Sequence, residues 1–179
     1  MRKKRVIFLM ICTLLLFLIL GGIAMRDIVF PVQVDIFLPE PDAMTCYLPY
    51  KDERALSDGE LDRIYERFMF LMQNIESCDS YWTDVTQSDA NKYKREYPCL
   101  ELEYRKRHRY VGTLGTEKPL SQKPFVFDAA LLVLQEEHIV VIIKQGSRYC
   151  GIDDMPQALH FGPGYAAFRA EVLSLIASL

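Results

Sequence analysis

The sequence predicts an α+β fold: an antiparallel sheet of about five or six strands, two amphipathic helices, and one N-terminal transmembrane helix ahead of them. Three observations predict it. A charge-free run of 19 residues follows a basic tetrapeptide, apolar residues recur at helical spacing over 57–77 and 163–178, and several stretches alternate with period two between Gly and Pro breakpoints. The chain has 179 residues, 50% hydrophobic and 25% charged. That balance excludes a disordered tail, a low-complexity fibre and a multidomain enzyme.

Arg2-Lys3-Lys4-Arg5 precedes residues 6–24, VIFLMICTLLLFLILGGIA. At a rise of about 1.5 Å per residue, 19 residues span roughly 28 Å, close to the hydrocarbon core of a bilayer. A buried core helix would carry a polar stripe, and this run offers only Thr13 and two terminal glycines. Four cations before the run, against Arg26 offset by Asp27 after it, place the N-terminus inside. The expected organisation is a cytoplasmic tail at 1–5, a transmembrane signal-anchor at 6–25, and a single extracytoplasmic α+β domain at 26–179. The expected address is therefore the cell membrane, single-pass. Gly22-Ile23-Ala24 also fits a small-x-small cleavage site, so the alternative is a chain secreted after cleavage near Ala24.

Residues 27–50 read as extended, with Val29, Val32, Val34, Ile36 and Leu38 punctuated by Pro31, Pro39 and Pro41, as in an edge strand or a stalk. Ser57-Asp58-Gly59-Glu60 reads as a capping box. Behind it Leu61, Ile64, Phe68, Leu71, Met72 and Ile75 form the apolar stripe of the first helix, 57–77. Residues 78–97 are polar, with a short helix near Ser88 to Glu96. The segment CLELEYRKRHRYV from Cys99 is a long strand, with Leu100, Leu102, Tyr104, Lys106, His108 and Tyr110 on one face. The apolar block at 124–152 breaks at Gln135-Glu136-Glu137 and Gln145-Gly146-Ser147 into a three-stranded meander. Its middle strand, Ile139 to Ile143, is apolar on both faces, as a strand covered on both sides would be. Asp153, Asp154 and Pro156 are expected to end the sheet. Tyr165, Phe168, Val172, Leu175, Ile176 and Leu179 then mark the last helix, 163–178.

Charge is unevenly spread. Residues 27–179 carry 16 bases against 24 acids, and within them 27–90 carry 4 bases against 14 acids, whereas 91–124 carry 9 against 4. A domain of this sign is not drawn to nucleic acid. The basic middle holds the candidate anion- or partner-binding residues Arg105, Arg107 and Arg109. On one strand they form a ladder about 7 Å from residue to residue, suited to phosphates or carboxylates. The competing reading is a solvated face paired with acids from the first segment. Cys46, Cys78, Cys99 and Cys150 are an even set that permits disulfides outside the cytoplasm. None lies in a C-x-x-C pair, and His108, His138 and His160 show no metal-ligand spacing, so no metal or cofactor is expected. Cys150 with His160 could supply a nucleophile and base, and Asp153, Asp154 and Asp128 could supply carboxylates. No catalytic motif supports either.

The expected function is binding: an accessory, assembly or interaction role in the cell envelope, with an envelope protein or polymer as partner and the membrane engaged through residues 6–24. The alternatives are a membrane-tethered envelope hydrolase and an immunity- or inhibitor-type protein, the latter using an acidic surface at Glu60, Asp62 and Glu66.

Overall fold

The computed structural model describes residues 33–34, 38–51, 53–80, 85–110, 125–151 and 157–177, all within one compact unit, Gln33–Leu179. Along the chain these form β1 (Gln33–Val34), β2 (Ala43–Tyr47), β3 (Arg54–Ala55), α1 (Asp58–Met72), β4 (Ile75–Ser80), α2 (Gln87–Glu96), β5 (Cys99–Tyr110), β6 (Phe125–Leu134), β7 (His138–Gln145), β8 (Arg148–Cys150), β9 (Gln157–Phe161) and α3 (Gly164–Ala177). The strands make one sheet in the order β3-β2-β5-β6-β7-β9-β4, with β1 beside β5 and β8 beside β7. Every pairing is antiparallel except the two-residue contact of β1 with β5.

The α+β class and the antiparallel sheet match expectation. The strand count does not, since the described residues hold nine strands rather than five or six. Two of the strands, β1 and β3, are only two residues long, and β1 falls in the segment read as an edge strand or stalk. Another, β4, takes residues read from sequence as the end of the first helix. Ile75 continues the helical phase of Leu71, but Asn74 stops the helix. Its side-chain amide donates to the Phe70 carbonyl at 2.8 Å and its backbone N–H to Leu71 at 2.8 Å, closing the C-terminus. A further strand, β9, follows the acidic turn expected to end the sheet. There it bridges β7 and β4.

The sheet has two covered faces. On one, Leu100, Leu102, Leu132, Ile139, Val141, Leu159 and their neighbours meet Leu61, Ile64, Phe68 and Leu71 of α1 and Tyr165, Phe168 and Val172 of α3. The two helices touch through Phe68 and Phe168, whose ring centroids lie 6.3 Å apart. An Arg63–Glu171 ion pair at 2.6 Å seals the solvent side of that contact. On the other face, Cys99, Leu131, Val133, Val140, Ile142 and Tyr149 form a smaller core with Val85 and Ala90, which α2 brings over the sheet. Residues 139–143 are buried throughout, as a strand sandwiched between two cores requires. The meander expected at 124–152 is β6, β7 and β8, and Gly146 supplies the positive φ of 62° at its second turn.

At the start of α1 the Glu60 carboxylate accepts from the Ser57 N–H at 3.0 Å and from its hydroxyl at 2.8 Å, and pairs with Arg54 at 2.6 Å. The Ser57 backbone bond, then its hydroxyl and the Arg54 guanidinium, lower the carboxyl from 4.5 to about 2. A carboxyl held low stabilises the fold above its unfolded value and loses that contribution as pH falls through the folded value. Glu60→Gln is accordingly expected to be less stable than the parent at pH 7. The gap should close between pH 4.5 and 2 in urea titrations across that range.

The expected anchor at 6–24 lies outside the described residues, as do Asp153, Asp154 and the side chains of Leu175 and Ile176. Among the described residues no helix is long and apolar enough to cross a membrane.

Candidate functional site

The site arises from a fault in the pairing of β5 with β6. Glu103 opposes Ala129 and His108 opposes Phe127, so five steps along β5 are matched by only two along β6. The surplus residues of β5 have no matched partners on β6, as at any bulge, and Arg105, Lys106 and Arg107 stand exposed there while Tyr104 stays in the core. Asp42 holds the bulge from the other side. Its N–H donates to the Glu103 carbonyl at 2.9 Å, and its carboxylate accepts the Arg105 N–H at 2.8 Å.

At the bulge opens a cleft of about 430 Å³, lined by Glu103, Tyr104, Arg105, Arg107, Asp128, Ala129, Lys144 and Gly146. Its floor follows from register. Glu103, Ala129 and Lys144 stand directly opposite one another on β5, β6 and β7. Only the Ala129 methyl separates a carboxylate from an ammonium whose strands are two spacings, about 9.5 Å, apart. Asp128 accepts the Gly146 N–H at 2.7 Å and fixes the β7–β8 turn as one wall.

Behind that floor lies a buried polar cluster. Glu101 is 2% exposed. Its Oε2 accepts from Lys94 Nζ at 2.6 Å and from the Tyr47 hydroxyl at 2.7 Å, and its Oε1 accepts from the Tyr149 hydroxyl. Lys144 Nζ stands 3.8 Å from Oε1 and 5.3 Å from the centre of the Tyr149 ring, so the cluster draws the ammonium to the Glu101 side of the cleft. Lys94 also donates to both tyrosine hydroxyls, at 3.1 and 3.0 Å, and lies 4.2 Å over the Tyr47 ring. Burial alone would raise the Glu101 carboxyl, but the bonds from Lys94, Tyr149 and Tyr47 outweigh it and hold the group below its usual range. Burial and then the same carboxylate push both tyrosines up, so neither is poised to act as a base.

The structure divides the predicted arginine ladder. Arg105 and Arg107 line the cleft, and Arg105 is also paired with Asp42 at 3.6 Å, as the competing reading of a charge-paired face anticipates. Arg109 lies past the bulge, half-buried, opposite Val126 and beside Gln33 of β1, away from the cleft lining. Glu103, Asp128 and Lys144 join the site only through register, a signal the sequence alone does not display.

Cys46, Cys78, Cys99 and Cys150, the even set that permits disulfides, are free thiols in the structure. Cys46 packs into the helix-covered core and Cys99 into the opposite one, so neighbouring strands carry the two thiols on opposite faces. Burial pushes Cys46 up to about 12 and Cys78 up to about 11, which keeps both protonated and unreactive. Cys150 and His160 are not brought together. Cys150 opposes Ile143 and His160 opposes His138, and residues 138 and 143 point to opposite faces of β7.

His160 instead faces His138, ring centroids 5.0 Å apart, and lies 3.3 Å from Asp79. Burial, then the neighbouring His160, lowers His138. Among the described residues no group of three or more His, Cys, Asp or Glu could hold a metal ion. Comparison with protein-family models, with curated proteins and with solved structures yields no match.

Proposed function

We propose that the protein is a single-pass, membrane-anchored binding protein of the cell envelope. Residues 6–24 would anchor it with residues 1–5 in the cytoplasm, and the domain would present the bulge cleft outside to a charged ligand or a charged segment of an envelope partner. The observation that carries the binding reading is the cleft: Arg105, Arg107 and Lys144 surround about 430 Å³, within the size range of small-molecule sites. The separation of Cys150 from His160 across the sheet favours binding over cysteine-based hydrolysis. An inhibitor role through the acidic face of α1 draws less support, because Glu60 is already engaged by Ser57 and Arg54. The envelope placement draws on the basic tetrapeptide and the charge-free run that follows it.

Two measurements test the proposal. Calorimetric titration of the full-length protein with inorganic phosphate and with a charged dipeptide should give a saturable response for at least one. Arg105→Gln/Arg107→Gln should weaken that response at least fivefold, and silence towards both probes overturns the cleft as a binding site. A thiol engineered at exposed Lys92 should react with an impermeant maleimide on intact cells, and reaction only after lysis overturns the placement.

A further inference from the structure

The charged groups around the cleft are unequally engaged. Arg105 is paired with Asp42, Lys144 is drawn towards Glu101, and Asp128 accepts the Gly146 amide. Glu103 and Arg107 differ. Both are exposed, both line the cleft four residues apart on β5, and neither forms an ion pair with the other or with any described residue. Among the described residues the cleft therefore offers two charges of opposite sign without an ion-pair partner, both on the bulged strand.

That pairing selects against simple ions. An anion at Arg107 would also feel the carboxylates of Glu103 and Asp128, and a cation at Glu103 would feel Arg107, Arg105 and Lys144. Each simple ion therefore meets repulsion beside its attraction. A ligand bearing both charges, spaced to match, gains both attractions. Glu103 and Arg107 lie on one strand, four residues apart. Lys144 stands two strand spacings, about 9.5 Å, across the floor from Glu103. Two residues of extended peptide, about 7 Å, reach across that gap with their end groups. The Ala129 methyl leaves room for the backbone between them.

We propose that the cleft binds a peptide-like zwitterion of about dipeptide size, its ammonium held by Glu103 with Asp128 and its carboxylate by Arg107 with Lys144. This rests on the reading of the cleft as a binding site. The test is calorimetric titration of the full-length protein with L-alanyl-L-alanine, with its N-acetyl derivative, and with its C-terminal amide. Each blocked derivative should bind about tenfold more weakly than the dipeptide, the scale of one lost charge-assisted contact. Glu103→Gln should weaken the dipeptide but not the N-acetyl form, and Arg107→Gln should weaken the dipeptide but not the amide. Both positions are exposed, so the variants should fold normally. N-acetyl-dipeptide binding as tight as that of the dipeptide, or an unchanged dipeptide affinity in Glu103→Gln, overturns the zwitterion proposal and leaves a plain anion site. Phosphate binding with no response to the dipeptide does the same. Silence towards phosphate, the dipeptide and both derivatives overturns the binding reading as well.

Discussion

Replacing Glu101 with alanine is expected to destabilise the fold by about 3–5 kcal/mol, the scale for removing one partner of a buried ion pair. The carboxylate is 2% exposed and is the shared acceptor for Lys94, Tyr47 and Tyr149. Without it, a largely buried ammonium loses its charge partner and two hydroxyls lose their acceptor at once, each carrying a desolvation cost. Glu101→Gln keeps the shape and one acceptor oxygen, so it should cost less than alanine. Pairing Glu101→Gln with Lys94→Met should cost less than the sum of the two, because the second change removes the charge the first strands. Urea unfolding midpoints measure all of these, with an unchanged slope showing that the transition is the same one. The pH dependence has a defined sign. Glu101 sits below its usual range in the fold, so the parent's advantage should shrink as pH falls below the unfolded carboxyl value, about 4.3. Equal stabilities of parent and Glu101→Ala at neutral pH would show that the cluster does not hold the second core together.

Phe68→Ala is expected to cost a similar amount, about 3–5 kcal/mol, for a different reason. Phe68 is 1% exposed and sits where α1, α3 and the sheet meet, facing Phe168. Its removal leaves a void that two helices and a sheet cannot readily close. Phe70, two residues on and 61% exposed, provides the internal control, because Phe70→Ala should change stability by no more than about 0.5 kcal/mol. The same urea experiment distinguishes them. Similar costs at the two positions would mean that α1 does not dock through its Phe68 face. For a domain whose net stability is about 5–15 kcal/mol, either Glu101→Ala or Phe68→Ala removes a large share.

Local pattern was legible where it is redundant. The stripe of α1, the alternation of β5 and the glycine-marked turn between β7 and β8 each repeat one message over several residues. The misreadings fall where two patterns share residues. Ile75 is in phase with the helix before it and equally suits the strand it joins, and Asn74 was the stop signal available to decide between them. Five-residue β9 has too little alternation to stand out, and its pairing with β4 reflects tertiary context. At the site, Arg105 and Arg107 were visible as a basic run. The cleft was not, because Lys106 interrupts the apolar alternation of β5 after Tyr104 without signalling that the pairing shifts there. The irregularity exists only in how many β6 residues face Tyr104 to His108. Glu101 alternates with Leu100 on β5, and its burial follows from α2 and Tyr149, which cover the face it occupies.

The position of β4 has a consequence for how the chain acquires its shape. Cys78 pairs with Leu159, and β9 is the only described neighbour of β4. Contacts between residues so distant in sequence close slowly, since a long loop must be ordered before any bond rewards it. During synthesis, which proceeds from the N-terminus, β4 leaves the ribosome long before its neighbour exists. It must remain unmated until the last strand emerges. The acidic side chains Glu76 and Asp79 on that waiting strand are of the kind that discourages premature association with other nascent chains.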